Sequence, residues 1–101
     1  MIIKASTAGT LETLLKEVEK LVQGHHRVHV IDNGVGPVSE ADMQNSLKTG
    51  AVIFGFDVGC LPPVERRASP EGCCIRLHKL IYKFIDDVKN FAEDSNLDAQ
   101  F

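Results

Sequence analysis

The run AVIFGFDV, Ala51 to Val58, constrains this chain more than any other stretch. It has the length of a strand and is apolar at nearly every position, so a strand built from it leaves no face for water. Such a strand belongs inside a parallel sheet with helices packed on both sides. Gly50 stands directly before it and reads as the left-handed cap of a helix that ends there. Upstream, IDNGVGPVSEAD, Ile31 to Asp42, passes from strand through loop to helix. Gly34 and Gly36 supply the turn, Pro37 stiffens it, and Ser39 with Asp42 three residues later has the spacing of a capping box.

The remaining elements follow the same alternation. Met1 to Ala5 is a first strand that starts almost at the first residue, as a domain cut from a longer protein would. Leu11, Leu14, Leu15, Val18, Leu21 and Val22 form the stripe of an amphipathic helix that Gly24 ends. Arg27 to Ile31 alternates polar and apolar and reads as the second strand; Ser39 to about Lys48 is the second helix. In GCLPPVERRASPEG, Pro62 and Pro63 open a third helix that Pro70 stops within about two turns. Cys73 to Leu77 is the fourth strand. A long helix follows on Leu80, Ile81, Phe84, Ile85, Val88, Phe91 and Ala92, with Tyr82, Asp86 and Asp87 on its polar side. Strand and helix alternate four times, which predicts a three-layer α/β/α sandwich around a four-stranded parallel sheet with right-handed crossovers. Residues 1–94 make the single domain; 95–101 are a frayed tail or the start of an interdomain linker helix.

With 101 residues the chain has room for one core. A net charge of −3 sets the average field against polyanions, although a local basic patch is compatible with it. No apolar segment reaches the roughly 18 residues of a membrane span, and no signal-peptide order opens the chain, which reads as an intracellular protein. Cys60, Cys73 and Cys74 are odd in number and form no CxxC, so neither a disulfide framework nor a zinc knuckle is indicated, and Cys74 or Cys73 reads as a small buried hydrophobe on a strand.

In an open α/β sheet, ligands bind outside the carboxyl ends of the strands. Those ends carry Ser6, Asn33, Asp57 and His78, which gives one functional reading: a small-molecule or phosphate-binding domain using this edge. The serine lies in KASTAG rather than G-x-S-x-G, and the first strand lacks the acidic pair that would hold Mg²⁺ beside a phosphorylated Asp57. Gly34-x-Gly36 lacks the third glycine of a dinucleotide fingerprint. His25, His26 and His29 have no acidic or cysteine partner at ligand spacing and read as solvated. Arg66, Arg67 and Arg76, with Lys79 and Lys83, form the basic clustering of the second half, a candidate contact for RNA phosphates.

Four segments taken together carry a resemblance. KASTAGTLETLL, GVGPVSEADM, AVIFGFDV and LHKLIYKFIDDV, in this order, resemble the third domain of the translation initiation factor 2 family, which includes its archaeal and eukaryotic counterpart, initiation factor 5B. The resemblance implies an α/β/α sandwich without an active site or cofactor of its own, in a parent that is a GTPase through another domain. It further implies a monomeric relay between the GTP-binding module and the module that binds initiator tRNA, in contact with the small ribosomal subunit and its rRNA. On that reading Gly34, Val35, Gly36 and Pro37 form an interdomain loop, Arg66, Arg67 and Arg76 touch rRNA, and the last helix is a lever anchored by Ile81, Phe84, Ile85 and Val88. Cytoplasmic and organellar members both remain open. Relatives carry a regular helix without Pro70 between Val58 and Gly72.

Overall fold

Register decides which layer each side chain serves. The computed structural model describes residues 1–24 and 28–98. In it β1 (Ile2–Ala5), β2 (Asp32–Val35), β3 (Ile53–Phe56) and β4 (Ile75–His78) form one sheet in the order β2-β1-β3-β4. All three pairings are parallel. Ile2 lies beside Ile53 and Ile3 beside Phe54. Because side chains alternate along a strand, Ile2 and Ile53 face one layer and Ile3, Ala5 and Phe54 the other.

The helices are α1 (Ala8–Val22), α2 (Glu40–Thr49), α3 (Pro62–Glu71) and α4 (Ile81–Asp98). On one face Leu14 and Val18 of α1 and Phe84 and Val88 of α4 close over Ile3, Ala5 and Phe54. On the other, Met43 of α2 and Val64 and Ala68 of α3 close over Ile2 and Ile53 with Val38. Full burial of such side chains contributes roughly 1.5–3 kcal/mol each. The three-layer parallel sandwich expected from the alternation is the fold.

Capping fixes the helix ends. Thr7 accepts from the Thr10 N–H at 3.2 Å and starts α1. Ser39 and Asp42 form the anticipated capping box of α2, and Gly50, at φ 74°, ends that helix with its N–H on the Ser46 carbonyl. An L side chain at that φ is strained, so glycine is required there.

Three boundaries differ from the sequence reading. The ladder of β2 is Asp32–Val35, not Arg27 to Ile31. Within the described residues of that run, Val28 is buried and Val30 half-buried against the α1/α4 cluster, while Ile31 donates to Met1 O. The apolar alternation therefore marks the approach to the sheet. The ladder itself is polar because β2 is an edge strand with exposed residues.

Pro70 does not stop α3 early; it sits in the last turn of a ten-residue helix. So close to the end, proline forfeits only its own N–H, and Gly72 at φ 84° closes the helix onto Ala68 and Ser69. Finally, β4 is shifted to Ile75–His78, since Cys73 still donates to Ala68 and belongs to the exit from α3. Helix α4 continues to Asp98, and the tail residues 99–101 lie outside the described residues.

Candidate functional site

The strands of a parallel sheet deliver their last residues to one edge, and here that edge is built from four helix starts and the loops before them. β1 and β3 are neighbours although their crossovers leave in opposite directions, so the gap between them is the switch point where such folds hold ligands. Ser6 Oγ donates to Asp57 Oδ2 across this gap at 3.4 Å, at an exposed position. Asp57 itself is left-handed, φ 56°, a conformation that aspartate tolerates better than most residues, and its N–H donates to the His78 carbonyl.

The four residues singled out on this edge do not converge. His78 Nε2 lies 2.7 Å from Asp87 Oδ2 on α4, turned away from Asp57 and Ser6. Asn33 stands opposite Ile3 within the ladder and not at the end of β2. Among the described residues the serine thus meets a carboxylate, while the imidazole of His78 pairs with Asp87 instead. A cleft of about 460 Å³ between Asp57, Val58, Gly59, Leu77, His78 and Lys79 opens next to them.

The surface around that cleft is apolar. Val35, Leu61, Leu77, Leu80, Ile81 and Tyr82 are all exposed at the carboxyl ends of strands or the helix starts behind them, Tyr82 at 64%. Ile81 is therefore not an anchor of the last helix: it is 44% exposed, one turn beyond the end of the sheet. Phe84 and Val88 are fully buried and Ile85 is partly so. Of the loop Gly34 to Pro37, Gly34 and Val35 belong to β2, and Gly36 and Pro37 lead from it toward α2.

The basic cluster is divided between the two faces of the sheet. Arg66 and Arg67 lie on α3, where Arg67 pairs with Glu71 at 3.0 Å and Glu40 at 3.8 Å. Arg76 points into the other layer and pairs with Asp87 of α4 at 2.6 Å. These three arginines do not form one patch. Of the three histidines before β2, His25 and His26 lie outside the described residues, and His29 is exposed. Among the described residues there is no group of three potential metal ligands. All three cysteines are free; Cys73 is buried with its thiol on Ser46 Oγ, and burial pushes the Cys60 thiol up, with Glu65 and Cys73 adding to it.

Two ionic features were not foreseen in the sequence. Lys4, in the central strand, is buried and its Nζ lies 3.0 Å from Asp42 Oδ2. The same oxygen accepts from the Ser39 N–H at 2.9 Å and the Ser39 hydroxyl at 3.0 Å. Burial alone would raise the Asp42 carboxyl, but the Ser39 N–H, the Lys4 ammonium and the Ser39 hydroxyl outweigh it and hold it below the usual carboxylate range. A lysine inside IIKA is the signal: a charge in the middle of a buried strand requires a buried partner. The second is Asp87, which turns inward to Arg76 and His78 rather than to water.

Similarity to known proteins agrees with this geometry. The family model described as Translation-initiation factor 2 matches residues 1–89. "Translation initiation factor IF-2" of Psychrobacter sp. is 40% identical over 89 residues, 88% of this chain and 10% of that protein. The factor of the same name from Desulforamulus reducens is 36% identical over all 101 residues, 10% of its length. The chain thus spans about a tenth of the length of the curated relatives it matches. A crystal structure of GDP-bound aIF5B from Aeropyrum pernix superposes with a TM-score of 0.75 and 30% identity, over 99% of this chain and 17% of that one. With its fold, its segments and its near-full-length match in agreement, the chain belongs to the translation initiation factor 2 family.

Proposed function

We propose that this domain relays position between a GTP-binding module and an initiator-tRNA-binding module of a longer initiation factor, on the ribosome, and carries out no chemistry itself. One observation supports this above the others: α4 is held fast as far as Ala92 and continues past the sheet beyond it. Its 18 residues measure about 27 Å at 1.5 Å each, against about 13 Å for a four-residue strand. Phe84 meets Phe56 and His78 near the carboxyl edge, and Phe91 reaches the hollow beside Met1 and Val52 at the amino edge. Beyond Phe91 the helix continues to Asp98. A rod clamped at one end to a packed sandwich transmits a rigid-body rotation of that sandwich to whatever is attached at the other.

The carboxyl edge, with Val35, Leu61, Leu77, Leu80, Ile81 and Tyr82 exposed, supplies the face through which a neighbouring module moves the sandwich. Gly36 and Pro37 border it. Contact with rRNA of the small subunit falls to Arg66, whose side chain has no ion-pair partner among the described residues.

The test places a donor and an acceptor fluorophore on the nucleotide-binding and the last domains of the full-length factor. Exchange of GDP for a non-hydrolysable GTP analogue is expected to change their separation, and Phe84→Ala with Asp87→Ala to abolish the change while GTP hydrolysis persists. A separation that still responds to nucleotide in the double variant overturns the relay.

A further inference from the structure

Lys4 and Asp42 stand in two of the segments that carry the resemblance, KASTAGTLETLL and GVGPVSEADM, and form a buried ion pair. Lys4 is the third residue of the central strand β1, and its ammonium passes over the edge strand at Gly34: a Cβ built there would sit 2.9 Å from Nζ. Gly34 is thus the opening through which the lysine reaches α2. Asp42 Oδ2 collects three donors, Lys4 Nζ and the Ser39 N–H and hydroxyl.

Ser39 follows Val38, and Val38 is the residue that ties two loops together. Its N–H donates to Gly59 O at 2.9 Å, and its carbonyl accepts from the Leu61 N–H at 3.0 Å. These two bonds form an isolated parallel bridge with Cys60, beyond the end of the sheet proper, with Val38 fully buried beneath it. Val35, the last residue of β2, and Leu61, the N-cap of α3, are both exposed at the ends of the two loops so joined.

We infer that Lys4 is a positioning residue whose buried pair with Asp42 locks the loops after β2 and β3 into one rigid platform presenting Val35 and Leu61 outward. A charge pair specifies a single geometry where an apolar contact would accept several, and a buried lysine without its carboxylate is costly. The strand, the glycine and the capping box therefore hold one another in a single arrangement. The latch stands independently of the relay; only the claim that the platform meets a neighbouring module rests on that reading.

Amide exchange in the 101-residue chain tests the latch. The reporters are the amides of Val38, Ser39 and Leu61, which make the bonds described; the controls are Ile53 and Asp57, which pair with Cys74 and His78 at the far side of the sheet. In Lys4→Met the ratio of reporter to control exchange is expected to rise about tenfold or more, as in a local opening. Gly34→Ala, which drives a methyl group against the ammonium, is expected to do the same, and it serves alone if Lys4→Met fails to fold. Together the two substitutions are expected to act less than additively, because they break one contact. A ratio within about twofold of the parent chain, or full additivity, overturns the latch. In the full-length factor, Lys4→Met is then expected to reduce the nucleotide-dependent change in fluorophore separation; an unchanged response with reporters opened overturns only the contact assigned to the platform.

Discussion

Arg76 on β4 donates to Asp87 on α4 at 2.6 Å, across the join between the edge of the sheet and the last helix. The other oxygen of the same carboxylate meets His78 at 2.7 Å, so one residue of α4 grips two alternate residues of β4. The guanidinium also lies 5.8 Å from the ring centroids of both Phe54 and Phe91. Burial pulls Arg76 down, but the neighbouring Cys74 and the hydrogen-bonded Asp87 carboxylate leave it raised. Polar and aromatic contacts thus fasten the edge strand where apolar packing thins out.

Asp87→Ala is expected to destabilise the domain by about 1.5–3 kcal/mol, the range for loss of a hydrogen bond to a charged group. The Arg76 side chain is 41% exposed, which places the effect toward the lower end because water screens the pair. A double-mutant cycle with Arg76→Ala in urea denaturation should return a coupling of about 0.5–1.5 kcal/mol that shrinks as salt is raised. Simple additivity would show that the packing of α4 and not the ion pair holds the join.

Phe84→Ala should be far more damaging, by about 3–5 kcal/mol, since the ring is fully buried and its edge contacts Phe54, Phe56 and His78 would be replaced by a cavity. Ile81→Ala, three residues earlier on the same helix, is expected to change stability by no more than about 0.5 kcal/mol. Chemical denaturation of the two variants side by side separates the anchored part of the stripe from its exposed start. Equal losses would mean that Ile81 packs as the sequence periodicity alone suggests.

That contrast shows what a sequence pattern carries. The stripe Ile81, Phe84, Ile85, Val88 is legible as one helical face, but where the sheet beneath it ends is a tertiary fact, and Ile81 falls beyond it. The buried run Ile53 to Phe56 and the Ser39–Asp42 box were legible because each is a local pattern with one structural solution. β2 was not, since an edge strand of sequence DNGV has no apolar alternation to give it away. Lys4 with Asp42, and Arg76 with Asp87, are far apart in sequence; their pairing exists only once β1 is set against α2 and β4 against α4.

Acid should expose the Lys4–Asp42 pair. The folded carboxyl of Asp42 titrates below its unfolded value of roughly 3.9. The stability it contributes is therefore fully present above that unfolded value and is lost as pH falls through the lowered folded one. Asp42→Asn is expected to be less stable than the parent at pH 7 and to lose less on acidification between about pH 5 and pH 2. Urea midpoints measured at several pH values decide it: parallel curves for the two proteins would mean that Asp42 titrates alike folded and unfolded.

Under the proposed ribosomal reading, the division of the arginines makes Arg66→Glu the informative charge reversal. Arg67→Glu would place a third carboxylate beside Glu40 and Glu71 and loosen α2 from α3. Arg76→Glu would set two carboxylates against each other at the join with α4, so a loss of binding there would report unfolding. Arg66 is exposed and belongs to no ion pair among the described residues, so its reversal leaves the fold intact. Binding of the full-length factor to small ribosomal subunits, measured over a range of salt, is expected to weaken with Arg66→Glu. The slope of log affinity against log salt should flatten by about one if the side chain neutralises one phosphate. An unchanged affinity and slope would remove α3 from the rRNA contact and leave the apolar carboxyl edge as the surface through which the domain meets its surroundings.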